Sequence, residues 1–233
     1  MPENAIEPAL YLIATPIGNL GDVTFRAVDV LRSVNRLYAE DTRHSRRLLQ
    51  EYDIERSAIP CHEHNESAMA TEIVRAIENG ESCGLISDAG TPGISDPGFR
   101  AVRACRAAGL PVIPIPGANA AVAALSVSGL PTDQFLFLGF LPPKSAARLR
   151  TFESVIDLQA TLIFYESTHR IDKFMKDAES VFGPDRVVTV ARELTKRHET
   201  ITSGPMHTVR STMASASSKG EFVVLIAKSG YTL

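Results

Sequence analysis

Cysteine is scarce in this chain and is never clustered along it. The 233 residues include three cysteines, Cys61, Cys83 and Cys105, and none of them belongs to a CxxC motif. Structural zinc sites and disulfide frameworks draw on closely spaced or numerous cysteines. We therefore expect neither a metal site nor disulfide bonds, and the chain suits a reducing compartment.

The sequence predicts neither a leader segment nor a membrane-spanning run. The first residues contain no basic region followed by an apolar segment, so the sequence predicts no signal peptide. No apolar stretch approaches the roughly 20 residues that a membrane-spanning helix needs. These features predict a cytoplasmic protein that does not enter a membrane.

The chain has no excess of positive charge. It carries 24 Lys and Arg residues against 27 Asp and Glu residues, a net charge of −3. A protein that coats nucleic acid through bulk charge is strongly basic, so that class is excluded, although local basic patches are still possible. The 44% of hydrophobic residues is typical of a globular protein with a substantial core.

Short apolar runs alternate with helical segments, which predicts an α/β fold. The runs are continuous rather than alternating, as in parallel strands that are buried on both faces. Predicted strands lie at 10–14, 36–39, 82–86, 111–117, 135–140, 160–165, 186–191 and 222–227. The turn signal at 129–131 divides the chain into two predicted domains, residues 9–128 and 129–230.

A loop of about a dozen residues follows the predicted strand at 82–86. Residues 87–98 hold three glycines, two prolines, two aspartates and three hydroxyl residues, which suits neither a helix nor a strand. An ordinary strand-to-helix turn needs only about two to six residues. Since open α/β sheets bind ligands beyond the carboxyl ends of their strands, this loop is predicted to be a ligand site.

Charged or glycine-rich clusters follow most of the predicted strands. They come after Ala14, Ala39, Ile86, Ile115, Phe140, Tyr165 and Ala191. Such clusters are expected to gather along one rim of a parallel sheet. The loop at 15–22 is not a GxGxxG motif, so a Rossmann dinucleotide site is rejected.

Two further clusters allow more than one interpretation. Arg43, Arg46 and Arg47 share one helical face, as either a solvated surface or a phosphate-binding group. His62 and His64 have the wrong spacing to share a helix face, and no third ligand cluster is evident, so a metal site is rejected.

Nine blocks of the sequence together resemble the ribosomal RNA small subunit methyltransferase I family, which belongs to the tetrapyrrole methylase superfamily. The blocks are 14–22, 40–43, 62–66, 87–98, 116–118, 139–142, 165–167, 192–196 and 220–222. They follow in order across nearly the whole chain, which makes the resemblance specific even though each block alone is weak.

This resemblance implies a tetrapyrrole methylase-like, class III methyltransferase fold. It consists of two α/β domains with S-adenosylmethionine in the cleft between them, and the protein is implied to be a homodimer. The implied reaction is 2′-O-methylation of a cytidine ribose in the decoding region of small-subunit (16S) ribosomal RNA. The implied partner is that RNA, either free or in the assembled small subunit.

The resemblance also assigns cofactor contacts to loops at strand ends in both domains. These residues are Pro16, Gly18, Ser87, Asp88, Ala89, Gly90, Ile94, Asn119, Ala120, Phe164, Tyr165, Ala191 and Arg192.

Methyl transfer to a ribose hydroxyl requires a proton acceptor. The strand-end clusters offer four candidates, among which the sequence does not choose: Asp41, Glu166, His169 and Glu193. Cations of the same clusters are the predicted phosphate contacts. They are Arg43, Arg46, Arg47, Lys144, Arg148, Lys196 and Arg197. For Lys144 and Arg148 the alternative is a solvated helix face.

Three other functions are weighed against this one. A tetrapyrrole (precorrin or uroporphyrinogen) C-methyltransferase is the alternative within the superfamily, but such enzymes typically show Gly-Asp-Pro in the central loop, where residues 88–92 of this chain are Asp-Ala-Gly-Thr-Pro. A phosphotransferase is disfavoured because Pro92 and Pro97 oppose the strand that its phosphate loop requires. A non-catalytic RNA-binding factor would be favoured by a lack of cofactor binding.

Overall fold

Two five-stranded sheets organise the chain in the computed structural model, which describes residues 6–215 and 219–233. Each sheet belongs to its own compact unit, and the units divide between Asn119 and Ala120. Helices alternate with strands in both units, apart from two consecutive strands at Val187–Arg192 and Thr200–Pro205, which confirms the predicted α/β class. Within the described residues, no helix has the length and apolar character needed to cross a membrane.

The first unit contains a fully parallel sheet in the order β3-β2-β4-β1-β5. Its strands are β1 (Leu10–Ile13), β2 (Arg36–Ala39), β3 (Ala58–Pro60), β4 (Cys83–Ile86) and β5 (Val112–Ile115). The helices between them are α1 (Phe25–Ser33), α2 (Thr42–Glu51), α3 (Glu66–Glu78) and α4 (Phe99–Ala107). The sequence did not predict β3, because a short edge strand ending in proline leaves little pattern.

Apolar side chains cover both faces of this sheet. One buried cluster includes Ile13 and Leu31, and a second includes Ile73 and Leu85. Burial on both faces explains why the strands read as continuous apolar runs.

The second unit contains a mixed sheet in the order β6-β7-β10-β8-β9. Its strands are β6 (Phe135–Phe140), β7 (Thr161–Ser167), β8 (Val187–Arg192), β9 (Thr200–Pro205) and β10 (Glu221–Ile226). Its helices are α5 (Ala120–Val127), α6 (Ser145–Val155), α7 (Ile171–Phe182) and α8 (Met206–Ala214). The sequence did not predict β9, a largely exposed and polar edge strand.

Helix α5 packs on β7 and β10, so it belongs to the second unit. The hydroxyl of Tyr165 on β7 also accepts a hydrogen bond from the Ala121 N–H in the first turn of α5, at 3.1 Å. The turn signal at 129–131 therefore falls within the second unit. Turn-forming residues predict where the chain bends. The packing of α5 against distant strands determines to which unit α5 belongs.

Candidate functional site

Loops from four parallel strands meet at the carboxyl edge of the first sheet. The loop at 87–98 lies centrally, because β4 is placed between β2 and β1. The Thr15 N–H donates to the Gly90 carbonyl at 2.9 Å, and the Gly90 N–H donates back to the Thr15 carbonyl at 3.0 Å. Gly90 has a φ of +84°, a left-handed conformation that glycine adopts readily. This bridge fixes the β4 loop against the β1 loop.

The β2 loop is tied to the same central loop through acidic side chains. The Asp41 N–H donates to Asp88 Oδ1 at 3.0 Å, and the Asp88 N–H donates to Glu40 Oε2 at 3.3 Å. Each carboxylate thus holds the main chain of the opposite loop. The side chain of Asp88 is therefore oriented by the fold before any ligand arrives.

The β5 loop approaches the β1 loop very closely. A Cβ at Gly117 would lie 2.8 Å from the Cβ of Ala14, so no larger residue fits without movement of the chain. The Thr91 hydroxyl donates to the Ala118 carbonyl at 3.1 Å, which joins the β5 loop to the central one.

A buried glutamate holds the far end of the central loop. Glu66, in the first turn of α3, accepts hydrogen bonds from the N–H groups of Gly98 and Arg100, each at 2.8 Å. These are unsatisfied donors at the start of α4, where a carboxylate also interacts favourably with the helix dipole. Residues 87–98 are therefore anchored at both ends.

Three carboxylates, Glu40, Asp88 and Asp96, lie close together at this edge, and burial disfavours the charged forms of Glu40 and Asp96. Burial is the main reason that the pKa of Asp96 is raised to about 7, and the charges of Glu40 and Asp88 contribute. The pKa of Glu40 is also raised, chiefly by burial and further by the charges of Asp88 and Asp41. This edge therefore has a strong electrostatic preference for positive charge or for protons.

Replacing Asp96 with asparagine is expected to change how stability depends on pH. Because folding raises the pKa of Asp96, the folded protein loses stability as the pH rises from about 4 to about 7 and the carboxyl ionises. The asparagine side chain stays neutral, so the Asp96→Asn variant gains stability relative to the parent at pH 8 and less at pH 5. Urea unfolding at both pH values measures this.

The exposed Asp29 on α1 provides the matched control for that experiment. Asp29→Asn is expected to leave the pH dependence unchanged, since it removes a carboxylate that is not buried. Parallel stability curves for the parent and Asp96→Asn would contradict the assignment of a raised pKa to Asp96.

The strand ends of the second sheet form another polar edge. β6, β7 and β8 run in the same direction, since β10 is antiparallel to both β7 and β8. After β8, the Glu193 carboxylate accepts from the Glu221 N–H and from Lys196 Nζ, each at 2.9 Å. The expected single rim is thus corrected to two edges on two separate sheets, because β6 to β10 do not join β1 to β5.

Comparison with known proteins decides the family. The family Tetrapyrrole (Corrin/Porphyrin) Methylases matches residues 9–210. A Xylella fastidiosa (strain Temecula1) protein named ribosomal RNA small subunit methyltransferase I is 50% identical over 219 residues, covering 93% of this chain and 80% of that protein. This chain belongs to the ribosomal RNA small subunit methyltransferase I family. It is a methyltransferase, and the predicted family is confirmed.

Other relatives agree with this membership. The protein of the same name from Pseudomonas aeruginosa is 49% identical over 220 residues, covering 94% of this chain and 78% of that protein. Among solved structures, diphthine synthase has a TM-score of 0.72 at 9% identity, covering 94% of this chain and 90% of that chain. Uroporphyrin-III-C-methyltransferase from Thermus thermophilus has a TM-score of 0.66 at 18% identity, covering 95% and 94%. At these identities, the solved structures show the fold alone.

The predicted cofactor residues of the first unit all lie at its carboxyl edge. Three of them are buried: Pro16, Ser87 and Gly90. Gly18, Ala89 and Ile94 are exposed, and Asp88 and Asn119 are partly exposed. The buried hydroxyl of Ser87 lies beside the Asp96 carboxyl, where its hydrogen bond opposes the rise in the pKa of Asp96.

The predicted cofactor residues of the second unit differ in what they can offer. Phe164 is fully buried among Phe152 and Phe174, so its side chain is a core residue and only its main chain could meet a ligand. Ala191 is also buried, and Ala120 begins α5. Arg192 Nε donates to the Lys219 carbonyl at 2.6 Å, so part of its guanidinium holds the neighbouring chain.

The four predicted proton acceptors have very different surroundings. The Asp41 carboxylate is held by the side chain and N–H of Arg43, which lower its pKa to about 2, and this makes it a weak base. Glu166 is buried and paired with Arg170 at 3.2 Å. Although burial acts to raise the pKa of Glu193, hydrogen bonds from Glu221 N–H and Lys196 lower it overall.

His169, the fourth predicted acceptor, is exposed at the start of α7. The residues predicted from the sequence did not include Glu40 and Asp96, the two carboxylates within the described part of the chain whose pKa values are raised. The rule that placed Asp41 at the end of β2 applies equally to Glu40. Asp96 gave no such signal, because only the folded loop brings it beside Glu40 and Asp88.

Most of the predicted phosphate contacts are on the surface, but Arg148 is not. Arg46, Arg47, Lys144 and Arg197 are exposed, Arg43 is exposed and paired with Asp41, and Lys196 is paired with Glu193 and Glu221. Arg148 is buried and its Nε donates to Asp177 Oδ2 at 2.9 Å. The interpretation of Arg148 as part of a solvated face is therefore wrong, and its guanidinium is engaged by Asp177.

Proposed function

We propose that this methyltransferase transfers a methyl group from S-adenosylmethionine to the 2′-hydroxyl of a cytidine ribose in the decoding region of small-subunit ribosomal RNA. The observation that carries the proposal is the 50% identity, over 93% of the chain, to a protein named ribosomal RNA small subunit methyltransferase I. The exposed arginines of α2 support an anionic substrate. The 2′-hydroxyl is also the group that distinguishes RNA from DNA.

The edge of the first sheet suits the methyl donor chemically. Glu40, Asp88 and Asp96 favour positive charge at this edge, and the buried hydroxyl of Ser87 stands beside Asp96 as a further polar group. The missing side chain at Gly90 lets a ligand approach the main chain. When bound, S-adenosylmethionine supplies a cationic sulfonium that carries the reactive methyl group. We propose that Ser87, Asp88, Ala89, Gly90 and Ile94 hold it.

The role of the protein in this chemistry is mainly to position its reactants. Hydrogen bonds from the Asp41 and Asp88 main chain and from Gly98 to Glu66 fix the central loop before binding. Holding two reactants in the correct orientation makes a bimolecular reaction effectively unimolecular. In well-oriented reactions this lowers the activation free energy by about 7–11 kcal/mol. A rigid loop is therefore an appropriate platform for methyl transfer.

The ribose hydroxyl must lose its proton during transfer. A group whose pKa is near the working pH accepts and releases a proton most effectively. Asp96, with its pKa raised to about 7, meets this criterion better than Asp41, whose pKa is lowered to about 2. We therefore add Asp96 and Glu40 to the proposed proton acceptors.

A tritium-transfer assay tests the proposed function. Purified protein and S-[methyl-³H]adenosylmethionine are incubated separately with small ribosomal subunits, naked small-subunit ribosomal RNA and uroporphyrinogen III. We expect label in the RNA or the subunits, in alkali-resistant dinucleotides, because a 2′-O-methyl group blocks hydrolysis of the adjoining phosphodiester. Label in the tetrapyrrole alone would overturn the proposal and favour a C-methyltransferase.

A further inference from the structure

A basic groove lies between α2 and the edge strand β3. It encloses about 750 Å³ and is lined by the side chains of three arginines, Arg43, Arg46 and Arg56, and by one glutamate, Glu55. Its floor includes the buried residues Leu49 and Ile54. The lining thus carries a net positive charge over an apolar floor.

Helical spacing explains which arginines face the groove. Arg43, Arg46 and Gln50 stand at positions i, i+3 and i+7 of α2 and share one side of the helix. Arg47, which the sequence grouped with Arg43 and Arg46, does not line the groove. The fold therefore divides the three arginines into two that meet in the groove and one that does not.

The opposite wall of the groove is held in place by hydrogen bonds. Arg32 Nη2 donates to the Tyr52 carbonyl and Arg56 Nη2 donates to the Arg32 carbonyl, each at 2.7 Å. The Tyr52 hydroxyl donates to the Leu20 carbonyl at 2.7 Å. These bonds fasten the segment between α2 and β3 to α1, so the groove exists without a ligand and costs little to order on binding.

One end of the groove lies beside the central loop. Its lining begins at Thr42, and the N–H of the preceding residue, Asp41, is hydrogen-bonded to Asp88. From there the groove follows α2 away from the carboxyl edge of the sheet. A bound polymer with one of its monomers at that edge could therefore continue directly into the groove.

We infer that this groove binds the phosphodiester backbone of the RNA strand next to the nucleotide that is methylated. Guanidinium groups bind phosphate oxygens through two parallel N–H donors, and arginines spaced along a helix match a chain of phosphates. The inference rests on the proposed function and adds a location for the substrate strand. Arg46 and Arg56 are its principal contacts, with Arg43 at the end nearest to Asp88.

Charge reversal within and outside the groove tests this inference. The variants are Arg46→Glu and, as control, Arg103→Glu, which places the same charge change at an exposed position of α4 outside the lining. Their dissociation constants for a fluorescein-labelled single-stranded fragment of small-subunit ribosomal RNA are measured at several salt concentrations. S-Adenosylmethionine affinity is measured by calorimetry.

We expect Arg46→Glu to weaken RNA binding by about 10-fold or more, because one phosphate contact is lost and a repulsive charge is added. The slope of log K against log salt should fall by about 0.7 for that contact. Cofactor affinity should be unchanged in both variants, and RNA binding by Arg103→Glu should stay within about two-fold of the parent. Equal losses in the two variants, or no loss in Arg46→Glu, would overturn the inference.

The same variants separate this inference from the proposed function. Suppose that the parent protein transfers tritium to RNA and that Arg46→Glu and Arg103→Glu are equally active at limiting RNA. The inferred RNA site in the groove is then wrong, while the proposed function stands. If the parent labels no RNA, the proposed function fails. The binding comparison then still decides whether the groove holds a phosphodiester chain.

Discussion

Replacing Asp88 with leucine is expected to reduce the affinity for S-adenosylmethionine by about 10- to 100-fold. The substitution removes a carboxylate from the proposed cofactor edge and leaves the Asp41 N–H without its acceptor. Losing a hydrogen bond to a charged group costs about 1.5–3 kcal/mol, which corresponds to this range. Isothermal titration calorimetry with the parent and the variant measures the effect directly.

Asp88→Asn separates charge from geometry in this experiment. Asparagine keeps an oxygen that can accept from the Asp41 N–H but removes the negative charge. We expect an affinity between those of the parent and of Asp88→Leu. An unchanged affinity in a folded Asp88→Leu variant would move the cofactor site away from residues 87–94.

Replacing Arg148 with alanine is expected to destabilise the protein by about 3–5 kcal/mol. The Asp177 carboxylate is nearly buried, and the substitution leaves it without its cation. The same carboxylate is contacted by the Ser145 hydroxyl at 2.8 Å, which cannot neutralise the charge. Urea or thermal unfolding measures the loss. A double replacement, Arg148→Leu with Asp177→Leu, is expected to lose less, since no buried charge is left alone.

Lys144 offers the matched control, since it is an exposed cation at the start of the same helix, α6. Lys144→Ala should change stability by no more than about 0.5 kcal/mol. A stable Arg148→Ala variant with weakened RNA binding would contradict the structural role and restore Arg148 as a phosphate contact.

Much of the fold could be predicted because its strands have local signatures. Continuous apolar runs such as 10–13 and 83–86 are buried on both faces, and helices separate most of the strands. The edge strands β3 and β9 were missed, since short or polar strands pair through the main chain and need few characteristic side chains. A buried strand requires a continuous run of apolar residues, whereas an edge strand does not.

The sequence by itself determined that residues 87–98 form a rigid loop, because their glycines and prolines exclude helix and strand. It also determined that polar residues follow the strand ends. Only the tertiary structure decided that Glu66 anchors this loop, that Asp96 lies near Glu40 and Asp88, and that Arg148 is buried while Arg46 faces a groove. The physical reason is that spacing assigns a side chain to a face of its own helix, whereas the packing of distant segments determines what covers that face.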